Sequence, residues 1–234
     1  MRTLLAFTLI LLSQVAIGQQ FAIVSDKDGY TNVRSAAGTA NKIEDTLHND
    51  HFVYCFETKD GWTSIEYANK KEDYLHGYIY HDRLRFIADY EKIPNLKKSD
   101  SIFVKDSLKV IVSTRRFVKA RYHITYSKPS HEYDTSIIGV VAINGRKVWG
   151  TDGEMPSTEY ASISVNFGAR HLILPRAAFE DLFQPTIWNT KVNYDRKNDI
   201  LYIASENSDG AGAYGIIWKI EKGAYAGRYI AYGD

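Results

Sequence analysis

Cysteine is almost missing from this 234-residue chain: Cys55 is the only one. An intramolecular disulfide is therefore excluded. Cys55 sits in FVYCFE, between aromatic and β-branched residues. That setting reads as a buried structural thiol, not the exposed, electropositive one that a nucleophile needs. Net charge is missing as well. Without Arg2, 28 Lys and Arg face 28 Asp and Glu, so there is no electrostatic footprint for nucleic acid or an anionic membrane. No segment after residue 18 is apolar enough for a transmembrane anchor. Long helical periodicity, internal repeats and low-complexity tracts are also lacking. The seven histidines show no HxH, HExxH or His/Cys spacing, so no metal or cofactor is expected. His48, His51, His76 and His81 read as solvent-facing loop residues.

What is present begins with residues 1–18. Arg2 supplies a positive start, Leu4 to Leu12 is apolar apart from Thr8, and Ala16-Ile17-Gly18 offers small residues for a peptidase. This pattern is a secretory signal peptide, too short to span a bilayer, with the cut expected before Gln19. No Cys near the cut means no lipid anchor. The mature chain is expected to be exported, to the periplasm or beyond.

The remaining roughly 216 residues suggest one or two domains. Tyr is conspicuous at 17, with 10 Phe and 4 Trp. Aromatic and β-branched residues between Gly and Asn/Asp turns read as a mainly β fold. The polar stretch DYEKIPNLKKSDS, residues 89–101, marks a boundary; residues 89–100 read as a linker. Before it, FAIVSD alternates like a strand, Asp28-Gly29 turns, and DGYTNVRS follows with Tyr30 and Val33 as core candidates. KIEDTL, HFVYCFE and WTSIEY are further strands, Asp60-Gly61 is a hairpin signal, and GYIY closes the set. Strands at 8–12-residue spacing suggest a small barrel.

In their order, DGYTNVRS, KIEDTL, FVYCFE, DGWTSIEY and GYIYHDRL resemble the bacterial SH3 (SH3b) domain over residues 21–87. The insert ANKKEDYLH (68–76) is longer and more charged than the usual loop. Asn32 is expected to hydrogen-bond backbone in a tight loop, and Arg34 to pin that loop through a carboxylate or carbonyls. The resemblance implies binding. Modules of this family attach exported proteins to peptidoglycan or other cell-envelope polymers through a shallow aromatic groove. Trp62, Tyr67, Tyr78 and Tyr80 are the groove and core candidates, because a Trp or Tyr offers a flat apolar face and a polar tip. Trp62 reads equally as groove or core, Tyr30 and Tyr78 as core, and Tyr80 as surface.

Residues 101–234 resemble no family. Asn144-Gly145 marks a hairpin within SIIGVVAINGRKVW. LPRAAFEDLF reads as one short helix, with Pro175 in its first turn and Gln184-Pro185 stopping it. NDILYIAS, AYGIIWKIE and AGRYIAYG are three more strands. A β-meander or sandwich with one short helix is expected after the SH3-like barrel. Two loops stand out. WGTDGEMPSTE carries Asp152, Glu154 and Glu159, and ENSDGAGAYG carries Asp209. Paired carboxylates serve acid–base chemistry or Ca²⁺, but the calcium-loop spacing is missing. The Gly-rich loop lacks GK[ST] and a following helix, so it is no phosphate cradle. Both read as turn-forming or binding loops, and no catalytic residue is assigned. The expected function is a non-enzymatic, exported binder of a cell-wall polymer or envelope protein. The alternatives are an inhibitor or immunity-type protein that grips another protein through its C-terminal domain, and a hydrolase using Asp152, Glu154 or Glu159.

Overall fold

A computed structural model describes residues 19–71, 73–96, 101–127 and 139–233. The expected signal peptide and His131 lie outside them. The first seven strands are β1 (Gln20–Val24), β2 (Tyr30–Arg34), β3 (Ile43–His48), β4 (Phe52–Lys59), β5 (Trp62–Ala68), β6 (Tyr74–Tyr80) and β7 (Leu84–Phe86). They pair antiparallel in the order β3-β2-β6-β5-β4-β1-β7. This sheet curls around its own core of Val24, Val33, Val53, Ile65, Tyr67 and Ile79, so the expected small barrel is present. Local chemistry sets its corners. Asp60 and Gly61 have φ of 51° and 78°, the left-handed pair that suits strand twist in a two-residue hairpin. At Gly77 the β2 and β6 backbones come so close that an added Cβ would stand 2.3 Å from Val33 Cγ1.

Among the described residues twelve further strands follow: β8 (Glu91–Lys92), β9 (Ile102–Lys105), β10 (Leu108–Arg116), β11 (Ile124–Tyr126), β12 (Val140–Ile143), β13 (Arg146–Lys147), β14 (Thr158–Phe167), β15 (Arg170–Ile173), β16 (Lys191–Asp195), β17 (Ile200–Asn207), β18 (Tyr214–Glu221) and β19 (Ala224–Ala231). They form a five-stranded sheet β19-β18-β17-β16-β8, a four-stranded sheet β15-β14-β10-β9 and a small sheet β11-β12-β13. The chain is therefore all-β, as expected. No helix among the described residues is long and apolar enough to cross a membrane.

The five-stranded sheet is covered on both faces. One face, with Leu201, Ile203, Ile216 and Trp218, packs on Val110, Val112, Ile163 and Val165 of the four-stranded sheet. The other, with Ile200, Tyr202, Ile217 and Tyr229, packs on Phe21, Ile23 and Tyr54 of the barrel. That is why ILYIA and YGIIW are continuous apolar runs instead of alternating ones. Each large side chain so buried contributes about 1.5–3 kcal/mol.

The segment expected as a linker belongs to this arrangement. Glu91–Lys92 pairs with β16, and Ile93 is buried in the sandwich core. The 68–76 insert also reaches across: Tyr74 packs edge-on to Tyr232, with ring centroids 4.7 Å apart. Gln19 Nε2 donates to the Gly233 carbonyl at 2.8 Å. The short helix expected over 174–183 reduces to a 3-10 turn, Arg176–Ala178. Its carbonyls are engaged elsewhere. Ala178 O accepts Trp218 Nε1 at 2.8 Å and Arg228 Nη1 at 3.0 Å, and Asp181 O accepts the Trp149 N–H at 3.0 Å.

A charged group sits in the junction between barrel and sandwich. Glu66 is fully buried, and its Oε1 accepts the Tyr232 N–H at 3.0 Å and the Tyr229 hydroxyl at 3.3 Å. Burial raises its pKa above the usual carboxylate value, and those hydrogen bonds only partly offset this. The native state then holds this proton to higher pH than the unfolded chain does. Its effect favours folding at low pH and fades as pH rises from the unfolded value through the folded one. Glu66→Gln should therefore raise the melting temperature at pH 8 more than at pH 4.5, as followed by circular dichroism. The shared core also predicts one cooperative unfolding transition for residues 19–234. Tyr229→Ala should cost roughly 3–5 kcal/mol in denaturant titrations. A fragment of residues 19–88 should fail to give dispersed NMR signals.

An aromatic cleft on the barrel

The stretch that opens the cleft is SDKDGYTNVR. Val24 ends β1, and Asp26 organises the turn that follows. Its Oδ1 accepts the Asp28 N–H at 2.7 Å, and its backbone exchanges hydrogen bonds with the Asn49 amide, each 2.8 Å. Asp26 Oδ2 pairs with Arg83 Nη1. These contacts set the position of Tyr30 at the start of β2. From there the strand period of two decides the rest. Thr31 and Val33 are buried, so Tyr30, Asn32 and Arg34 face outward.

Trp62 and Tyr80 stand opposite each other on β5 and β6. Their rings meet edge to face with centroids 5.5 Å apart. Tyr80 lies over the Asp60-Gly61 turn, where a Cβ on Gly61 would be 2.8 Å from its ring. Together with Tyr30, Asp28, Arg34 and the Asp26–Arg83 pair, these rings line a cleft of about 220 Å³. Tyr30 is 46% exposed and Tyr80 43%. Arg34 is tethered, donating from Nη1 to the Asn41 carbonyl at 2.6 Å, the carbonyl contact expected of it.

Comparison of the chain with protein-family models, curated proteins and solved structures returned no match. The residues themselves carry the reading.

Of the four groove candidates, Trp62 and Tyr80 line the cleft. Tyr67 does not: it is a 1%-exposed member of the barrel core. Tyr78 is half-buried, beside Ser64 and Arg34, and is not part of the cleft wall. Tyr30, expected in the core, is on the cleft instead. Val33 is the inward residue, and three positions of separation put Tyr30 on the other face. Asn32 sits within β2, not in a tight loop, and accepts from Thr46 Oγ1 at 3.2 Å. Asp26, Asp28 and Arg83 were not legible as site residues. The Asp–Gly turn was the available signal, and Arg83 is brought to it only by β7 pairing with β1.

The second pair of expected loops do meet. Ser208 Oγ donates to the Gly150 carbonyl at 2.9 Å, and a Cβ on Gly212 would stand 3.1 Å from Thr151 backbone. Asp152, Glu154 and Asp209 are exposed there. Glu159 is apart from them. It lies in β14, 4% exposed, with Arg115 Nε donating to it at 2.9 Å and the Tyr122 hydroxyl also bonded to it. No cluster of metal-ligating side chains occurs among the described residues. His48 and His76 are exposed as expected, whereas His51 and His81 are half-buried. His51 reaches the Ala68 carbonyl at 3.0 Å and His81 the Thr63 hydroxyl at 3.2 Å. Cys55 is buried, and burial pushes its thiol pKa far up.

The Asp28 backbone N–H, and then Arg83, hold Asp26 below the usual carboxylate value. Its contribution to stability is present above the unfolded value of about 3.9 and is lost as pH falls through the lower folded value. Asp26→Asn should melt below the wild type at pH 7, with the gap closing under pH 4 in thermal scans.

Proposed function

We propose that this is an exported, non-enzymatic binding protein whose barrel holds a cell-envelope polymer, with peptidoglycan the first to test. The supporting observation is the cleft: three aromatic rings converge with Arg34 and Asp28 at its edges. Flat rings stack on pyranose faces and on the apolar parts of peptide stems. An arginine takes a carboxylate in bidentate fashion, and Asp28 suits an amine. A polymer of sugars carrying short peptides with both groups matches this set. The SH3b-like order of motifs and the signal-like N-terminus support the same reading.

A second reading is recognition of another protein by the C-terminal half. Trp188, 72% exposed, favours it, since Trp is enriched among the residues that dominate interfaces.

The test is co-sedimentation of residues 19–234 with purified peptidoglycan. Wild type should pellet, and Trp62→Ala should weaken retention by about tenfold, the equivalent of one stacked ring at ~1.4 kcal/mol. Equal retention of Trp62→Ala, or no retention on peptidoglycan, would sink the cleft assignment. Loss of a co-purifying protein in Trp188→Ala would favour the second reading.

A further inference from the structure

A second concavity of about 780 Å³ lies where the barrel meets the five-stranded sheet. That volume is in the range of small-molecule sites, which favour such junctions. Ile23 of β1 and Arg85 of β7 contribute from the barrel. Lys197 and Asn198 come from the β16–β17 turn, and Lys222 from the β18–β19 turn. Tyr202 lies among them, its ring stacked on Tyr90 with centroids 5.5 Å apart at 23°. Arg85 stands over the Tyr90 ring at 6.0 Å.

The lining carries three cations and three carboxylates, and two of the carboxylates are already engaged. Asp195 caps its own turn: it accepts the Lys197 N–H at 3.1 Å, the Asn198 N–H at 3.2 Å and Asn198 Nδ2 at 2.7 Å. Glu221 is bridged by Lys219 at 2.9 Å. Arg85, Lys197 and Lys222 line the cleft and make no ion pair among the described residues. Asp50 is the one carboxylate left to face them. The Tyr202 hydroxyl is a further unmet demand. It is buried, with no partner at good hydrogen-bond geometry and the Tyr90 hydroxyl beside it, a state that is costly when nothing compensates. Burial, then the Tyr90 hydroxyl and the Asp50 and Asp195 carboxylates, push its pKa up, and Tyr202 is among the residues that line the cleft.

We propose that this cleft binds an acidic saccharide, with its carboxylate toward Arg85, Lys197 and Lys222 and its hydroxyls toward Asp50, Asn198 and Tyr202. The lining favours a hydrated, polyhydroxylated anion. Ile23 and Ile200 are its aliphatic residues, too little for peptide side-chain pockets, and the Tyr90 and Tyr202 rings stack on each other without a slot between them for a nucleobase. Cations supply the attraction, while amide, carboxylate and hydroxyl groups supply directional partners for ring hydroxyls. The inference does not rest on the reading of the barrel cleft.

Calorimetric titration of residues 19–234 with trigalacturonate tests it, with neutral maltotriose and acidic triglutamate as comparators. Trigalacturonate should bind, maltotriose should not, and triglutamate should bind at least tenfold more weakly. Affinity should fall as salt rises. Arg85→Ala and Lys197→Ala remove exposed side chains, so the fold should persist, and each should weaken binding at least fivefold. Tyr202→Phe should weaken it while keeping the wild-type circular dichroism spectrum. Absence of trigalacturonate binding, equal affinity for triglutamate, or an Arg85→Ala/Lys197→Ala double variant that binds like wild type would overturn the assignment.

Discussion

The structure depends on one sheet that has no face to give to water. β17 and β18 carry apolar side chains on both sides, so each side needs a cover. The four-stranded sheet supplies one and the barrel supplies the other. Antiparallel sheets commonly leave one face solvated; here that option is closed by Ile200, Tyr202 and Ile217. The barrel is thus a structural layer as well as the bearer of the aromatic cleft. Removing it would bare Tyr202, Ile217 and Tyr229, and removing the sandwich would bare Phe21, Ile23 and Tyr54.

This constraint divides the outer surface of the barrel. Along β5 and β6 the opposed outward pairs run Trp62–Tyr80, Ser64–Tyr78 and Glu66–His76. The first pair lines the cleft. The last places Glu66 in the junction, where Tyr229 and Tyr232 bond it. The same two strands therefore present a cleft-lining ring pair at one end and a buried carboxylate at the other. Tyr78 lies midway, which is why it is only half-buried and serves neither end fully.

Much of the architecture was legible because its signals are local. Asp60-Gly61 and Asn144-Gly145 are dipeptides that specify their hairpins without help from the rest of the chain. The unbroken runs ILYIA and YGIIW already signal strands buried on both faces. Less was legible where a distant partner decides. Residues 89–100 look like a linker because they are polar, yet Glu91 and Lys92 find β16 about a hundred residues on. The helix pattern of LPRAAFEDLF is sound by periodicity, but Trp218 and Arg228 take the Ala178 carbonyl that an α-helix would pair internally. The cleft was half legible. Trp62 and Tyr80 flank a recognisable turn, whereas Arg83 joins only through strand pairing. Tyr30 was recoverable from Val33 by strict alternation, and Tyr67 shows that an aromatic residue beside a groove-forming strand can as readily serve the core.

The junction also bears on timing. Phe21 and Tyr229, whose rings meet edge-on at 6.1 Å, stand near opposite ends of the sequence. Contacts between such distant segments carry the largest loop-closure cost and slow folding. The barrel-facing side of the central sheet is incomplete until β19, the last strand, has been made. That suits a protein proposed to pass through a membrane as an open chain and to close only on the far side.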